Sequence, residues 1–541
     1  MTFASCAQQS NPTGGDKDVT PPQILSVTPE QFTTYFTGSG FEIVFDEYIQ
    51  VKDFNAQLII SPPLDKSPEY KLRGKKLEVT WEDTLQSNTT YQFNFGNAVS
   101  DINEGNEKTD LIYVFSTGSY IDSLSVLGRV VNAKTNEPVP KSSVMLYTEN
   151  IDSLPRTTNP NYFAITDEDG YFAVRYLPDA SYKIFSLFEE GKNYRYDGPP
   201  EIIAFKDSLV KSTLNDSLPE LIMAAFVEKD TNQYIASEKG TDYGYYELVF
   251  NRPTNNLNIE FEMAETGTDL EATSLLNPGR DTLKNWVKLP QENDLDEVLV
   301  IIEDGEVLND TIYWYIETDE KFREKPELQL KTNTAQQKID INQKFAIRFN
   351  APIVESDTSL VFFLEDSVEV FPNRIEMKDL NRTALIHYPF KKESQYIFKA
   401  YAGAFKGFFG AYNDSVSLPF SLQDSEFYGS LNVDVKMPDS LASADGVKIL
   451  QFLSDKDKVL REDIFEEGIT TTYPQLQPGS YKLKIIFDTN NNGAYDTGNY
   501  AKKIQPEKVS IYPEPIDIRS NWDFDVEWTP TTPFDQIVIE K

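Results

Sequence analysis

A short alternation of apolar and polar residues recurs along the chain, and it constrains the fold more than any other feature. It is written Phe41-Glu-Ile-Val-Phe-Asp-Glu-Tyr-Ile49, then Phe345-Ala-Ile-Arg-Phe-Asn-Ala-Pro-Ile353, and more faintly Tyr246-Glu-Leu-Val-Phe-Asn-Arg-Pro253. Each copy is typical of a half-buried strand that leaves its sheet at a polar turn. Segments that we interpret as the partner strand follow downstream, at Thr90–Phe95, Ile312–Tyr315 and Gln395–Ala400. Three copies of one β-sandwich account for this repetition.

A second module is also repeated. Leu177–Ile184 and Phe188–Asp197 have counterparts, at a constant offset, in Gln477–Leu483 and Phe487–Asp496. We find no long segment with a 3.6-residue period and caps at both ends, which argues against a helical fold. The sequence therefore predicts an all-β chain, a tandem array of about five β-sandwich domains of two alternating kinds.

Turn-forming or charged segments interrupt the strand patterns near residues 22, 120, 222, 322 and 425. We expect a leader and tether over residues 1–22, followed by sandwiches over 23–119, 120–222, 223–322, 323–424 and 425–541, the third being a degenerate copy. Since no long linker separates the modules, we expect them to pack as a semi-rigid rod or arc.

The charge balance excludes two classes of partner. The 541 residues contain 50 Lys and Arg against 86 Asp and Glu, a net charge of −36. This sign argues against binding to nucleic acid or to anionic lipid surfaces. No apolar run approaches the roughly 18 residues that span a bilayer. Any attachment to a membrane would therefore be covalent.

The one cysteine, Cys6, stands where such an attachment could be made. Phe3-Ala4-Ser5-Cys6 resembles the end of a bacterial lipoprotein signal peptide, whose cysteine is acylated and becomes the mature N-terminus. Ala7–Pro22 is polar and rich in Gly and Pro, which predicts a flexible tether. A signal peptide needs an apolar stretch of about 7 to 15 residues, so we expect a start further upstream or a trimmed N-terminus. The alternative is a cloning remnant with an incidental cysteine.

Two stretches resemble known domain families. Thr20–Gly118, with "FDEYIQVKDFNAQLIISPP" and "YVFSTGSYIDSL", resembles the bacterial Ig-like domain of Bacteroidota envelope lipoproteins. Gly128–Pro138, with Thr166–Phe172 and Leu177-Pro178, resembles the carboxypeptidase regulatory-like domain, a small prealbumin-type sandwich. The resemblance implies an outer-membrane lipoprotein whose regulatory-like domains are structural. The alternation of the two is similar to surface lipoproteins of the extended β-barrel assembly machine, which implies the assembly barrel and other lipoproteins as partners.

We therefore expect a non-catalytic outer-membrane lipoprotein, anchored through Cys6 on the extracellular face and acting as a protein-interaction scaffold. The alternative is a surface lipoprotein that binds polysaccharide or host matrix. An enzyme would need two carboxylates about 5 to 10 Å apart in a cleft. The family's surface-export signals place charged residues just behind the cysteine, whereas Ala7–Ser10 are uncharged, so the side of the membrane stays open.

The residues that could serve catalysis have structural interpretations. His387 is the only histidine, and it lies in an alternating strand pattern without a nucleophile turn nearby, so we interpret it as a strand residue. One histidine and an acylated cysteine cannot supply a zinc site. We interpret the polar residues at the strand ends of the first module as solvated turns, because later copies carry Asn251-Arg252 and Asn350-Ala351 instead. These residues are Asp46, Glu47, Asp101, Asn103 and Glu104.

Calcium is the one candidate cofactor. Asp488, Asn490, Asn492, Gly493 and Asp496 give the pattern D-x-N-x-N-G-x-x-D, in which alternate oxygen side chains can converge on Ca²⁺ around a glycine turn. An EF-hand would need Glu where Asn499 stands. The alternative is a hairpin loop that uses Asn and Gly for positive φ. The first copy has Glu189, Gly191 and Asn193 at the equivalent places, so we expect it to lack the site.

Ten Asp-Ser/Thr pairs followed by an apolar residue resemble the O-glycosylation sequon of Bacteroidota envelope proteins. Their hydroxyl residues are Thr84, Ser123, Ser153, Ser208, Ser217, Thr282, Thr311, Ser367, Ser415 and Ser440. Glycosylation there would fit an exported protein.

Overall fold

The computed structural model describes residues 18–109, 111–188, 194–214, 221–290, 297–317, 324–442 and 446–531. Within these ranges the chain is almost entirely β, as the sequence predicts, with many separate sheets. The helical elements are single turns: α1 Phe54–Gln57, α2 Leu154–Thr157, α3 Asp439–Ala442, and the 3₁₀ turns Thr358–Leu360 and Ser425–Phe427. In this part of the chain no helix has the length and apolar character to cross a membrane.

The first sandwich consists of β1 Ile24–Thr28, β2 Gly40–Phe45, β3 Ile49–Val51, β4 Ile59–Ser61, β5 Glu69–Arg73, β6 Lys76–Thr80, β7 Thr90–Asn94, β8 Val99–Asp101 and β9 Ile112–Ser116. A sheet of order β1-β2-β6-β5 and a sheet of order β4-β7-β9 supply its strands, with β3 paired to β8. Phe41, Ile43 and Phe45 on β2 are at most 3% exposed, because alternate residues of a strand point to the same face. Together with the rings of β7 and β9 they form one aromatic core.

The third sandwich consists of β18 Ile235–Asp242, β19 Tyr245–Phe250, β20 Leu257–Met263, β21 Ala272–Leu276, β22 Thr282–Val287, β23 Glu297–Asp304 and β24 Leu308–Tyr315. Its sheets have the orders β18-β19-β22-β21 and β20-β23-β24. The four-stranded sheet thus repeats the strand order of the first sandwich.

The fourth sandwich consists of β25 Leu330–Thr332, β26 Lys338–Ile339, β27 Phe345–Phe349, β28 Ile353–Ser356, β29 Val361–Glu365, β30 Val368–Val370, β31 Arg374–Lys378, β32 Thr383–His387, β33 Gln395–Ala400, β34 Phe405–Gly407 and β35 Val416–Leu422. Its main sheets have the orders β25-β27-β32-β31 and β26-β35-β33-β29-β30. The three copies of the recurring segment form β2, β19 and β27. Each of these is the second strand of a four-stranded sheet.

The recurring segments interpreted as partner strands do not pair with these strands. β2 pairs with β1 and β6, whereas Thr90–Asn94 is the central strand of another sheet, between β4 and β9. In the same way β33 lies between β29 and β35, and Ile312–Tyr315 lies in β24 next to β23. The prediction of direct pairing is wrong, because each pair of segments is divided between two sheets.

The second and fifth sandwiches share a different topology. The second consists of β10 Leu124–Asn132, β11 Ser143–Tyr147, β12 Tyr162–Ile165, β13 Tyr171–Leu177, β14 Ser181–Phe188, β15 Ile202–Phe205, β16 Val210–Lys211 and β17 Leu221–Val227. The fifth consists of β36 Gly429–Lys436, β37 Val447–Ser454, β38 Val459–Phe465, β39 Gly468–Leu476, β40 Gly479–Asp488, β41 Val509–Ile511, β42 Ile516–Ile518 and β43 Asp523–Trp528. In each, the first strand pairs in parallel with the last, β10 with β17 and β36 with β43. This shared pairing agrees with the repeat in the sequence.

The third and fourth sandwiches share part of a core. Ala351, Phe408 and Phe409 of the fourth belong to the apolar cluster of the third. Trp286 of β22 is 1% exposed and donates its indole N–H to the Asn350 carbonyl oxygen at 3.1 Å. A joint of this apolar kind holds neighbouring domains in a fixed orientation.

The chain also closes back on itself, a contact that the expectation of a semi-rigid rod or arc does not include. Residues after β40 contact the second sandwich, at sequence separations as large as 373 between hydrogen-bonded residues. We call this contact between residues 495–509 and the second sandwich the clasp.

Candidate functional site

The candidate calcium loop directly follows β40, a strand in the core of the fifth sandwich. Asp488 ends that strand and is fully buried. Its Oδ1 accepts the backbone N–H of Asn492 at 3.2 Å, and its Oδ2 accepts that of Gly493 at 2.8 Å. Gly493 has φ +78, a conformation that favours glycine. The D-x-N-x-N-G pattern therefore forms a tight turn around the Asp488 carboxylate.

The remaining polar side chains of the loop converge on Asp496. Its Oδ2 accepts the side-chain amides of Asn490, at 2.6 Å, and of Asn492. Its Oδ1 pairs with Lys229 of the second sandwich at 2.7 Å. The hydrogen bond from the Lys229 ammonium, followed by that from the Asn490 amide, holds the pKa of Asp496 below its usual value. The side-chain amides of Asn490 and Asn492 present their N–H groups to the Asp496 carboxylate. To bind a metal, each amide would have to rotate so that its oxygen faces the centre of the loop.

Glu507 completes the loop, and the sequence pattern gives no sign of it. It is 7% exposed. Its Oε1 accepts the backbone N–H of Thr489 at 2.8 Å and its Oε2 accepts that of Asp496 at 2.9 Å. Among the described residues, no group of three or more His, Cys, Asp or Glu side chains is arranged to hold a metal ion. The calcium site stays a prediction, and the hairpin alternative stays beside it.

We expect calorimetric titration of the full chain with Ca²⁺ to give binding heat that Asp496→Asn abolishes, because the substitution removes the charge of a predicted ligand. Lys229→Met is the matched control, since it breaks the same ion pair but keeps the ligand. Absence of heat from the wild-type chain would leave the loop as a hairpin turn only.

Beyond Asp496 the loop inserts one aromatic side chain into the second sandwich. Tyr500 is 6% exposed and belongs to the same apolar cluster as β14, β15 and β17. Its ring centroid lies 5.7 Å from that of Phe185, 5.7 Å from that of Tyr196 and 5.5 Å from that of Phe205. We call the site formed by Phe185, Tyr196, Phe205 and Phe226 the socket.

Glu228 holds the backbone of the inserted loop. It is 8% exposed, and its Oε1 accepts the N–H of Tyr500 at 2.8 Å. Its Oε2 accepts the hydroxyl of Tyr196, which is part of the socket. The guanidinium of Arg156 lies 3.9 Å from the same carboxylate and 5.7 Å from the centroid of Tyr500. A buried carboxylate is thus compensated by two donors and one cation.

Gly498 allows the loop to approach the socket this closely. A Cβ at this position would lie 2.5 Å from the Phe226 ring. Its backbone is outside the left-handed region, so steric space rather than backbone strain requires glycine here. Thr497 adds a hydrogen bond from its hydroxyl to the Val227 carbonyl oxygen at 2.7 Å.

Tyr495 lies between two lysines at the edge of the clasp. The ammonium groups of Lys134, from the second sandwich, and Lys484, from the fifth, each lie 5.9 Å from its ring centroid. Burial, with a further contribution from Lys134, lowers the pKa of Lys484 to about 8. The hydroxyls of Tyr495 and Tyr500 are both buried without a hydrogen-bond partner in the described part of the chain.

His387 lies in β32, as the alternation predicts. Its Nε2 is 3.1 Å from a carboxylate oxygen of Glu376, which also pairs with Lys378. Lys378 and then His387 hold the pKa of Glu376 at about 2. A general acid needs a raised pKa, so Glu376 is unsuited to that role and its contact with His387 has the character of a structural hydrogen bond.

The interpretation of Asp101 as part of a solvated turn is wrong. Asp101 is 1% exposed, and its carboxylate accepts the backbone N–H groups of Glu104, Gly105 and Asn106 at 2.6 to 3.0 Å. Burial acts to raise its pKa, but these hydrogen bonds outweigh it and the pKa lies below the usual value. Burial, then the charge of Asp101, raises the pKa of nearby Glu47. Asp101 thus organises a turn, with both of its carboxylate oxygens hydrogen-bonded to backbone N–H groups.

The candidate modification sites differ in accessibility. Seven hydroxyl residues are exposed: Thr84, Ser123, Ser153, Ser208, Thr311, Ser367 and Ser415. Thr282 is half-buried in β22 and hydrogen-bonded to Asp281 at 2.9 Å. Ser440 lies in α3. Cys6, Ser217 and the first-copy positions Glu189, Gly191 and Asn193 lie outside the described residues. Glycosylation and acylation stay predictions.

Comparison with known families identifies one domain. Residues 18–117 match the family model of the bacterial Ig-like domain, which confirms the resemblance seen in the sequence of the first sandwich. The match covers that sandwich only. No curated protein matches the chain significantly.

Several solved structures align with long parts of the chain at low identity. The Bacillus anthracis TIE protein is 10% identical, with 96% of this chain and 76% of that chain covered and a TM-score of 0.14. The major pilin subunit BcpA of Bacillus cereus is 10% identical, with 75% and 99% covered and a TM-score of 0.15. A Bacteroides ovatus SGBP-B in complex with a mixed-linkage heptasaccharide is 10% identical, with 72% and 93% covered and a TM-score of 0.18. At these TM-scores none of them supports a conclusion about function.

Proposed function

We propose that the chain is a non-catalytic outer-membrane lipoprotein, anchored through acyl groups on Cys6 and exposed at the cell surface, that acts as a protein-interaction scaffold. The observation that carries the proposal is the way the sandwiches are fixed to one another. The third and fourth share a core, and the clasp joins the fifth to the second. Loops on such a rigid support are well suited to binding partners.

More specifically, we propose an accessory subunit of the outer-membrane β-barrel assembly machinery, whose barrel and other lipoproteins would be its partners. The support is the bacterial Ig-like domain at residues 18–117, followed by sandwiches of two topologies. The second and fifth sandwiches share one topology, and the third and fourth repeat the four-stranded sheet of the first. The charge of −36 favours protein partners with basic surfaces over nucleic acid or anionic lipid.

Cys6→Ser is expected to move the protein from the membrane fraction to the soluble fraction of its native host. Two or three acyl chains, at about 0.8 kcal/mol per buried CH₂, anchor a protein stably, and serine cannot carry the thioether-linked lipid. Fractionation followed by mass spectrometry of the N-terminal peptide measures this, with Ser5→Ala as a control that keeps the small residue before the cysteine. An unmodified Cys6 in the native protein would contradict the lipid anchor.

Affinity purification of the tagged full chain from the native host tests the partner. We expect an outer-membrane assembly barrel to be recovered with it, and its absence after mild detergent extraction would contradict the specific role. Recovery of a polysaccharide instead of a protein would favour the second candidate function.

That second candidate, binding of polysaccharide or host matrix, is favoured by one observation. Trp522 is 57% exposed, whereas the other four tryptophans are at most 5% exposed. It lines a groove of about 360 Å³ together with Pro515, Asp517, Arg519 and Phe524. An accessible aromatic ring beside a few polar groups is typical of ligand sites and suits stacking on a sugar.

A further inference from the structure

The clasp has the composition of an interface that can open. One aromatic side chain, Tyr500, enters the socket, while the margin consists of polar contacts. The ion pair of Lys229 with Asp496 leaves the lysine side chain 72% exposed, and that of Lys503 with Asp152 leaves both side chains about half exposed. Exposed ion pairs contribute little to stability and are weakened by salt. The closed state therefore depends mainly on the Tyr500 ring and on a few hydrogen bonds. Glu228 accepts the backbone N–H of Tyr500, and the side chains of Thr497 and Gln505 donate to backbone carbonyls of the second sandwich.

That ring fits its site imperfectly. Tyr500 is 6% exposed, and its hydroxyl has no hydrogen-bond partner among the residues that the structure describes. A buried hydroxyl without a partner opposes binding, because it has lost its water. A phenylalanine side chain would fill the same space without burying an unpaired hydroxyl.

The neighbouring tyrosines of the second sandwich show the contrast. The hydroxyl of Tyr196 donates to Glu228, and that of Tyr147 donates to the Thr158 carbonyl oxygen at 3.2 Å. These two phenols of the second sandwich are thus hydrogen-bonded, whereas that of Tyr500, inserted from the fifth, has no partner among the described residues. The polar groups around the socket suit a ligand backbone better than a ligand hydroxyl.

We propose that the socket is a docking site for a phenylalanine on an extended loop of a partner protein, and that Tyr500 occupies it as a weaker internal ligand. Glu228 would accept the backbone N–H of the phenylalanine, as it now accepts that of Tyr500. Lys229 favours an acidic residue four positions before the phenylalanine, in the place of Asp496. That a partner protein exists rests on the proposed scaffold function. The preference of the socket for phenylalanine over tyrosine does not depend on that function.

The test uses the full chain and two labelled synthetic peptides. One peptide has the sequence of residues 494–506, and the other carries Tyr500→Phe. Gly498→Ala in the full chain is expected to open the clasp, because the new Cβ would lie 2.5 Å from the Phe226 ring. The substitution replaces no residue of the socket. By fluorescence anisotropy we expect the first peptide to bind this variant at least about tenfold more tightly than the wild type, whose socket is already occupied. We expect the phenylalanine peptide to bind about tenfold more tightly than the tyrosine peptide.

A second variant keeps the test independent of whether Gly498→Ala folds well. Tyr500→Phe in the full chain is expected to slow hydrogen exchange of the amides in β15 and β17, since it tightens the clasp. Equal peptide binding to wild type and Gly498→Ala, or no preference for phenylalanine, would overturn the proposal. Failure to recover any protein partner from cells would contradict the proposed function, but it would leave these binding results unchanged.

Discussion

Gly128→Val is expected to prevent the second sandwich from folding while the other sandwiches keep their structure. Gly128 lies on β10 between two neighbouring strands, opposite Phe172 of β13 and Leu221 of β17. A Cβ there would lie 2.3 Å from the Phe172 ring and 2.7 Å from the Leu221 carbonyl oxygen. The ring could move, but the carbonyl belongs to the sheet, so β10 would have to leave its place. Overpacking usually costs about 1–3 kcal/mol, and we expect valine to exceed that range because the obstacle is backbone.

Limited proteolysis with mass spectrometry measures this effect, because an unfolded second sandwich would be cut within residues 124–227. Gly279→Val is the matched control. Gly279 lies in an exposed turn of the third sandwich, where a Cβ would have no neighbour nearer than 3.4 Å. If Gly128→Val resisted protease as well as Gly279→Val, the steric argument would be wrong. The clasp should also be lost in Gly128→Val, since its socket lies on the same sandwich.

The identity of the strands could be predicted from the sequence because burial leaves a local signature. Phe345, Ile347 and Phe349 alternate with polar or small residues, and all three are at most 1% exposed. The repeat of Leu177–Asp197 in Gln477–Asp496 likewise predicts that two sandwiches are of one kind, and the second and fifth sandwiches share the parallel pairing of the first strand with the last. Alternation specifies which side chains face the core.

Alternation does not specify which sheet a strand joins, and this is why the pairing of the recurring segments was wrong. Both sheets of a sandwich present alternate side chains to the same core. Phe93 of β7 and Phe41 of β2 are both buried, with ring centroids 5.2 Å apart. They meet across the core rather than along a ladder of hydrogen bonds, and the sequence pattern is the same in either case.

The clasp could not be predicted for a related reason. Glu228 and Tyr500 are 272 residues apart, and each lies in a segment whose local pattern indicates only a connection. Asp101 shows the same limit on a smaller scale, since a carboxylate near a strand end is usually solvated. Only the fold reveals that three backbone amides enclose it.

Trp286→Ala is expected to destabilise the third sandwich by about 3–5 kcal/mol, the usual cost of truncating a buried large aromatic residue. It should also uncouple the third sandwich from the fourth. The indole lies against the joint, where it donates to the Asn350 carbonyl oxygen and packs 4.6 Å beneath the Arg382 guanidinium. Burial already lowers the pKa of Arg382, and loss of the ring would leave this cation beside a cavity. Both sides of the joint therefore lose contacts.

Scanning calorimetry and hydrogen exchange distinguish loss of core packing from loss of the joint. Trp314→Ala is the matched control, because Trp314 is 5% exposed and packs on Tyr246 at 4.6 Å within the third sandwich. Both variants should lower the unfolding temperature of the third sandwich. Trp286→Ala alone should speed exchange in the fourth sandwich near Phe408 and Phe409, which are part of the shared core. If the two variants affected the fourth sandwich equally, the joint would not transmit stability through Trp286, and the rigid support on which the scaffold function depends would need another origin.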